Sequence, residues 1–117
     1  MLKRLDMVSL RVENWRAAVD WYRDVLGLQP AALHEDPWCL MTFPEGDAAI
    51  ALDGTNPVMP RGNCIPCIRV SDLPATIATL KGRGVTFTRE LIADDGYRMA
   101  TLSDLEGNAI NLYEYVR

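Results

Sequence analysis

Two arginines occupy matching places in this chain of 117 residues. Arg11 and Arg69 each stand one residue before a valine that closes an alternating apolar segment. Alternation places the apolar residues on one side of a strand, so both guanidiniums are expected on the more polar side. Two guanidiniums facing one cavity would suit bidentate contact with a carboxylate or phosphate. The alternative is that they pair with Asp53 or with carboxylates at a dimer interface.

Aromatic and amide side chains are the second group of candidates. Asn111 and Tyr113 have the same parity in the last predicted strand, so both are expected to face a cavity. Trp38 begins a strand whose inward side the sequence does not determine. Such rings stack on flat ligands, and the alternative for each of them is ordinary core or dimer packing. Trp15 and Tyr97 are further aromatic candidates on the same grounds.

The three cysteines do not form a recognisable redox or zinc motif. Cys64 and Cys67 are separated by two residues, but redox pairs of this spacing usually open a helix. These two fall in a predicted strand, where residues three apart face opposite sides and should not bridge. Since there is no second such pair to complete a zinc site, we interpret both as structural, and Cys39 as lining the core or a cavity.

None of the isolated titratable residues is expected to be catalytic. His34 is the only histidine and is expected at the surface, because general acid–base catalysis needs partners that the sequence does not place beside it. Glu90 and Glu114, near the ends of predicted strands, are expected to be solvated.

The elements that carry these residues follow one order twice. A strand over Leu5–Val12 precedes a helix over Trp15–Leu26, which Asn14 caps and Gly27 ends. The second copy is a strand over Asn63–Val70 and a helix that begins after Asp72. Each helix is followed by three short strands, so the order is βαβββ twice. Similar segments recur about 60 residues apart, as an internal repeat requires: Val12 and Val70, Ile50-Ala51-Leu52 and Ile110-Asn111-Leu112, Glu45-Gly46 and Glu106-Gly107.

Each half is too small to bury its own sheet. We therefore predict one domain over residues 1–117, with a first module at about 1–53, a linker at 54–62 and a second module at about 63–117.

The net charge of −4 and a pI near 4.9 argue against a nucleic-acid partner, because phosphate binding needs a basic face. The sequence begins with nothing that resembles a signal peptide, and no apolar run is long enough to span a bilayer. An odd number of cysteines fits a reducing compartment, so a cytoplasmic location is predicted.

Two motifs resemble the vicinal oxygen chelate superfamily, which includes glyoxalases, bleomycin resistance proteins and extradiol dioxygenases. The first is Trp21–Leu28, similar to the family's aromatic-Tyr-x-x-x-Leu-Gly-Leu signature. The second is the closing turn Asp104–Asn108, where Leu105 replaces the family's proline. The resemblance implies an α+β fold in which two paired βαβββ modules form an incomplete barrel around a cavity, and it implies a homodimer.

The resemblance also locates the positions at which metal-dependent members hold four ligands. Carried over to this chain, these positions are Met7, Ala51, Ile65 and Asn111. Thioether and alkyl side chains do not bind hard divalent cations, and a single amide is a poor ligand. The resemblance therefore implies a member without a metal site and without a cofactor.

Metal-independent binding of a small organic molecule in the barrel cavity is the predicted function, as in bleomycin resistance proteins. The alternative is a lyase or isomerase of the glyoxalase or dioxygenase type with a divalent metal, and a third possibility is a module whose cavity is filled by its own side chains. The predicted ligand-binding residues are Arg11, Arg69, Trp38, Asn111, Tyr113, Met7, Ile65 and Asp53.

Overall fold

The computed structural model describes residues 1–33, 37–54, 64–94 and 96–115. It contains two sheets of four strands and two helices, so the predicted α+β class is confirmed. Two compact units divide the chain, Met1–Arg61 and Gly62–Arg117. Each contains a strand, a helix and three further strands in that order, as the internal repeat predicts.

In the first unit, the strand order across the sheet is β1-β4-β3-β2. β1 pairs with β4 in parallel, and the other two pairs are antiparallel. The elements are β1 (Met7–Arg11), α1 (Trp15–Asp24), β2 (Gln29–Leu33), β3 (Trp38–Thr42) and β4 (Ala49–Asp53).

The second unit repeats this topology with the order β5-β8-β7-β6. β5 pairs with β8 in parallel, and β8, β7 and β6 pair in antiparallel fashion. The elements are β5 (Cys67–Arg69), α2 (Leu73–Gly82), β6 (Thr86–Asp94), β7 (Tyr97–Ser103) and β8 (Ala109–Tyr115).

Helix α1 forms where the sequence predicts it. The Asn14 side chain accepts a hydrogen bond from the backbone N–H of Ala17 at 3.1 Å, which satisfies one of the unpaired N–H groups of the first turn. The buried side of the helix consists of Ala18, Val19 and Tyr22. Gly27 then adopts a φ of +79°, the left-handed conformation in which glycine is not penalised.

Each sheet has one strongly apolar side. In the first sheet Leu10, Leu52 and Cys39 lie opposite one another in register and are all buried. In the second sheet the corresponding row is Ile68, Leu112 and Ala100. Register partners point to the same side of a sheet. We call the other side, which carries Arg11 in the first sheet and Arg69 in the second, the arginine face of that sheet.

Several predicted boundaries differ from the structure. β5 begins at Cys67 rather than Asn63, so Ile65 precedes the strand instead of lying within it. α1 ends at Asp24 rather than Leu26, and β1 covers Met7–Arg11 rather than Leu5–Val12. Strand and helix ends are the least determined part of a sequence pattern. His34, and the linker at 54–62 apart from Gly54, lie outside the described residues. No helix in the described ranges has the length and apolarity to cross a bilayer.

Candidate functional site

On the arginine face of the first sheet, a guanidinium, a carboxylate and an indole stand in one row. Arg11 on β1 lies opposite Asp53 on β4, and Asp53 lies opposite Trp38 on β3. Arg11 Nη2 is also 3.6 Å from Glu13 Oε1. The Arg11 side chain is only 20% exposed, so its charge is partly withdrawn from water close to two carboxylates. Three predicted site residues are thus neighbours on one surface.

The arginine face of the second sheet has the equivalent row without an acid. Arg69 on β5 lies opposite Tyr113 on β8, which lies opposite Met99 on β7. The Arg69 guanidinium carbon is 4.5 Å from the centre of the Tyr115 ring, within the range of a cation–π contact. The Tyr113 and Tyr115 rings meet edge to face, with centroids 5.4 Å apart.

Asn111 is held by its neighbours on the same face. The Thr101 hydroxyl donates to Asn111 Oδ1 at 2.6 Å. The Asn111 amide nitrogen in turn donates to Cys67 Sγ at 3.8 Å. These contacts follow the register Cys67, Asn111 and Thr101 across three strands, and they fix the orientation of the amide.

The four positions that the superfamily uses for metal ligands do not fit a hard divalent cation. Met7 offers a thioether and is 37% exposed, while Ala51 and Ile65 have no donor atom. The one oxygen donor, Asn111 Oδ1, already accepts the threonine hydroxyl. Hard cations require several oxygen ligands. Within the described ranges, no group of three or more His, Cys, Asp or Glu residues is arranged to hold a metal ion.

The predicted residues fall into two groups and two outliers. Arg11, Asp53 and Trp38 share the arginine face of the first sheet, and Arg69, Asn111 and Tyr113 that of the second. Met7 shares the first of these faces but lies at the far end of β1 from Arg11. Ile65 is 44% exposed and lies before β5. The ligand-binding role of all eight stays a prediction.

Sequence reasoning did not select Tyr115, which contacts the candidates Arg69 and Tyr113. It has the same parity along β8 as Asn111 and Tyr113, so the alternation that selected those two also indicated this ring. Tyr97 lies opposite Tyr115 in register. Trp15, in contrast, is on helix α1, where Arg16 stacks over it with a distance of 5.1 Å to the ring centre.

The expectation that Glu114 is solvated is wrong. Its side chain is 8% exposed, and Glu114 Oε1 lies 2.6 Å from Arg98 Nη2. The contact is an ion pair without aligned hydrogen-bond geometry. Glu114 lies in the row of Arg98 on the apolar side of the second sheet, because its parity is that of Ile110 and Leu112. Glu90, which remains exposed, pairs with Lys81.

The cysteines occupy two environments. Cys39 is buried in the apolar row of the first sheet, and burial raises the pKa of its thiol because the thiolate would lose its solvation. Cys64 and Cys67 are both exposed, and neither is in a disulfide.

Comparison with known proteins identifies the class to which this fold belongs. The model of the glyoxalase/bleomycin resistance protein/dioxygenase superfamily matches residues 4–112. The chain belongs to this superfamily, as its two motifs predicted. A comparison with curated proteins found no significant match.

Solved structures with this fold include one described as TnmS3, an antibiotic binding protein from Streptomyces sp. CB03234. It has 25% sequence identity and a TM-score of 0.85, with 98% of each chain covered. A glyoxalase/bleomycin resistance protein from the same organism has 27% identity and a TM-score of 0.78, covering 91% of this chain and 96% of that one. A superfamily member from Sphaerobacter thermophilus, with 24% identity, a TM-score of 0.82 and 97% and 98% coverage, shares the fold.

Proposed function

We propose that this protein binds a small organic molecule without a metal ion, on the arginine faces of its sheets. The row of Arg11, Asp53 and Trp38 is the observation that carries the proposal. It combines an apolar ring for stacking with charged groups that fix orientation, the composition of small-molecule sites in general.

Similarity to other proteins supports the same function. One structural neighbour is described as an antibiotic binding protein, and it matches this chain over nearly the full length of both. We therefore propose that the protein sequesters a small molecule.

Metal independence is supported by the donor set. At the four superfamily ligand positions the only oxygen donor is the Asn111 amide, and it is engaged by Thr101. A lyase, isomerase or dioxygenase that depends on a divalent cation would need further donor side chains at these four positions.

Calorimetric titration with flat aromatic probes of different charge tests the proposal. The probes are 2-naphthoate, 2-naphthamide and proflavine, which are anionic, neutral and cationic. At least one should bind, and chelation of the protein with EDTA should leave its affinity unchanged. Trp38→Leu should weaken that affinity about tenfold, the value of an aromatic contact together with its buried area. Trp15→Leu, which removes an indole on helix α1, is the matched control and should change it less than twofold.

Two results would contradict this function. Stoichiometric divalent metal in the purified protein, with binding or turnover lost on chelation, would establish the metal-dependent alternative. If all three probes fail to bind, the proposed binding of flat organic molecules is wrong.

A further inference from the structure

The internal repeat places two arginines at equivalent positions but gives them different surroundings. Arg11 is followed across the first sheet by Asp53, whereas Arg69 is followed across the second sheet by Tyr113. Both partners belong to the strand that pairs in parallel with the arginine's own strand. The repeat therefore keeps the guanidinium and replaces its neighbouring carboxylate with a phenol ring.

Because of this replacement, the two guanidiniums differ in the number of carboxylates near them. Arg11 has the carboxylates of Glu13 and Asp53 beside it. The row of Arg69 continues through Tyr113 to Met99 and brings no acid from β8 or β7. Glu114 follows Tyr113 in the sequence, but its side chain points to the other side of the sheet, where it pairs with Arg98.

The contact of Arg69 with Tyr115 determines which part of the guanidinium remains available. The guanidinium carbon lies over the Tyr115 ring, 4.5 Å from its centre, and Tyr113 meets that ring edge to face. A guanidinium held over an aromatic ring keeps the N–H donors that point away from the ring available for hydrogen bonds. Those donors form the fork that matches a carboxylate or phosphate.

We propose that the ligand of this protein carries an anionic group, and that the stacked Arg69 binds this group while Arg11 does not. The inference rests on the proposed function and adds the charge class of the ligand to it. Tyr115 acts as a positioning residue through its contact with the guanidinium.

The test compares two probes of nearly equal shape, 2-naphthoate and 2-naphthamide, which differ in charge. Calorimetry of the full chain measures the affinity ratio of carboxylate to amide. The ratio should be about ten or more in the wild-type protein, as a charge-assisted hydrogen bond implies, and it should fall as sodium chloride is added. Arg69→Gln should bring the ratio close to one while leaving the affinity for the amide within about twofold.

Several variants separate a binding role from a structural one. Arg16→Gln removes another arginine stacked on a ring, on helix α1, and should leave the ratio unchanged. Tyr115→Leu should lower the ratio by releasing the guanidinium, and Tyr115→Phe should restore it because the ring is kept. Thermal unfolding of each variant shows that the protein tested is folded, and Arg69→Lys, which keeps the charge without the planar fork, should give an intermediate ratio.

Three results would overturn the inference. An equal affinity for carboxylate and amide, or a preference for proflavine, would leave small-molecule binding in place and remove the anionic requirement. An effect of Arg11→Gln on the ratio as large as that of Arg69→Gln would remove the assignment to Arg69. Failure of all three probes to bind would overturn this inference together with the proposed function.

Discussion

At the scale of single residues, the environment of a side chain decides its chemistry more than its type does. The two repeat-related arginines show this, because one lies among carboxylates and the other on a tyrosine ring. The sequence offered ion pairing and ligand binding as alternatives for both. The register of the strands places Asp53 opposite Arg11 and Tyr113 opposite Arg69, and ligand binding by either arginine stays a prediction.

Glu114 shows the same dependence on environment, because a carboxylate that was expected in water is buried. The sequence places it near a strand end, where a carboxylate is usually solvated. Alternation along β8 nevertheless assigns it to the side of Ile110 and Leu112, and Arg98 on the adjacent strand supplies its counter-charge. Parity alone could have indicated the burial of Glu114, but the pairing of β7 with β8 was needed to identify its partner.

The three thiols give a prediction at this scale. Cys64 and Cys67 are exposed and Cys39 is buried with a raised pKa, so Cys39 has little thiolate and no access to reagent at neutral pH. Titration of the folded protein with Ellman's reagent should modify two thiols quickly, and the third only after denaturant is added. Cys39→Ser should remove the slow phase alone. Rapid reaction of all three in the native protein would show that Cys39 is accessible.

At the scale of elements, the local signals in the sequence were sufficient for most of the secondary structure. Asn14 and Asp72 each cap a helix by accepting a backbone hydrogen bond, from Ala17 and Ala75. The closing turn is stabilised by Asp104, whose carboxylate accepts from the N–H groups of Glu106 and Asn108, each at 2.8 Å. Leu105 makes none of these bonds, which explains why the turn forms although the superfamily has a proline there.

Two glycines with different backbone conformations give a prediction for the helices. Gly27 has a φ of +79° and Gly82 lies at the end of α2 without a positive φ, and a Cβ on either would meet no atom within 4 Å. Gly27→Ala should therefore destabilise the protein by about 1 kcal/mol through backbone strain alone. Gly82→Ala should stabilise it by up to about 0.5 kcal/mol, because alanine loses less entropy in a helix.

Denaturant unfolding of both variants measures these free energies of unfolding. Neither substitution creates a steric contact. If the two changes in the free energy of unfolding have opposite signs, the difference is therefore due to backbone conformation. Equal effects would mean that the left-handed conformation of Gly27 does not contribute to stability.

At the scale of the whole molecule, the superfamily resemblance predicts a homodimer. Each sheet ends in two edge strands, β1 and β2 in the first and β5 and β6 in the second. One side of an edge strand keeps its backbone donors and acceptors outside the sheet, and proteins commonly cover such edges. Light scattering coupled to size exclusion should give twice the chain mass of 13.1 kDa. A mass equal to that of one chain at micromolar concentration would show that the dimer does not form.

The sequence by itself determined the elements, their repeated order and the superfamily, because caps, glycine ends and alternating apolar residues act over a few neighbouring positions. It also determined that the usual metal positions hold poor ligands, since donor chemistry depends on residue type. The tertiary structure decided which side chains meet. The pairing of β3 with β4 determined which side of the sheet Trp38 occupies. The pairing of β5 with β8 brought the Tyr115 ring into contact with Arg69. Strand register joins residues far apart in the chain, and no local pattern specifies it.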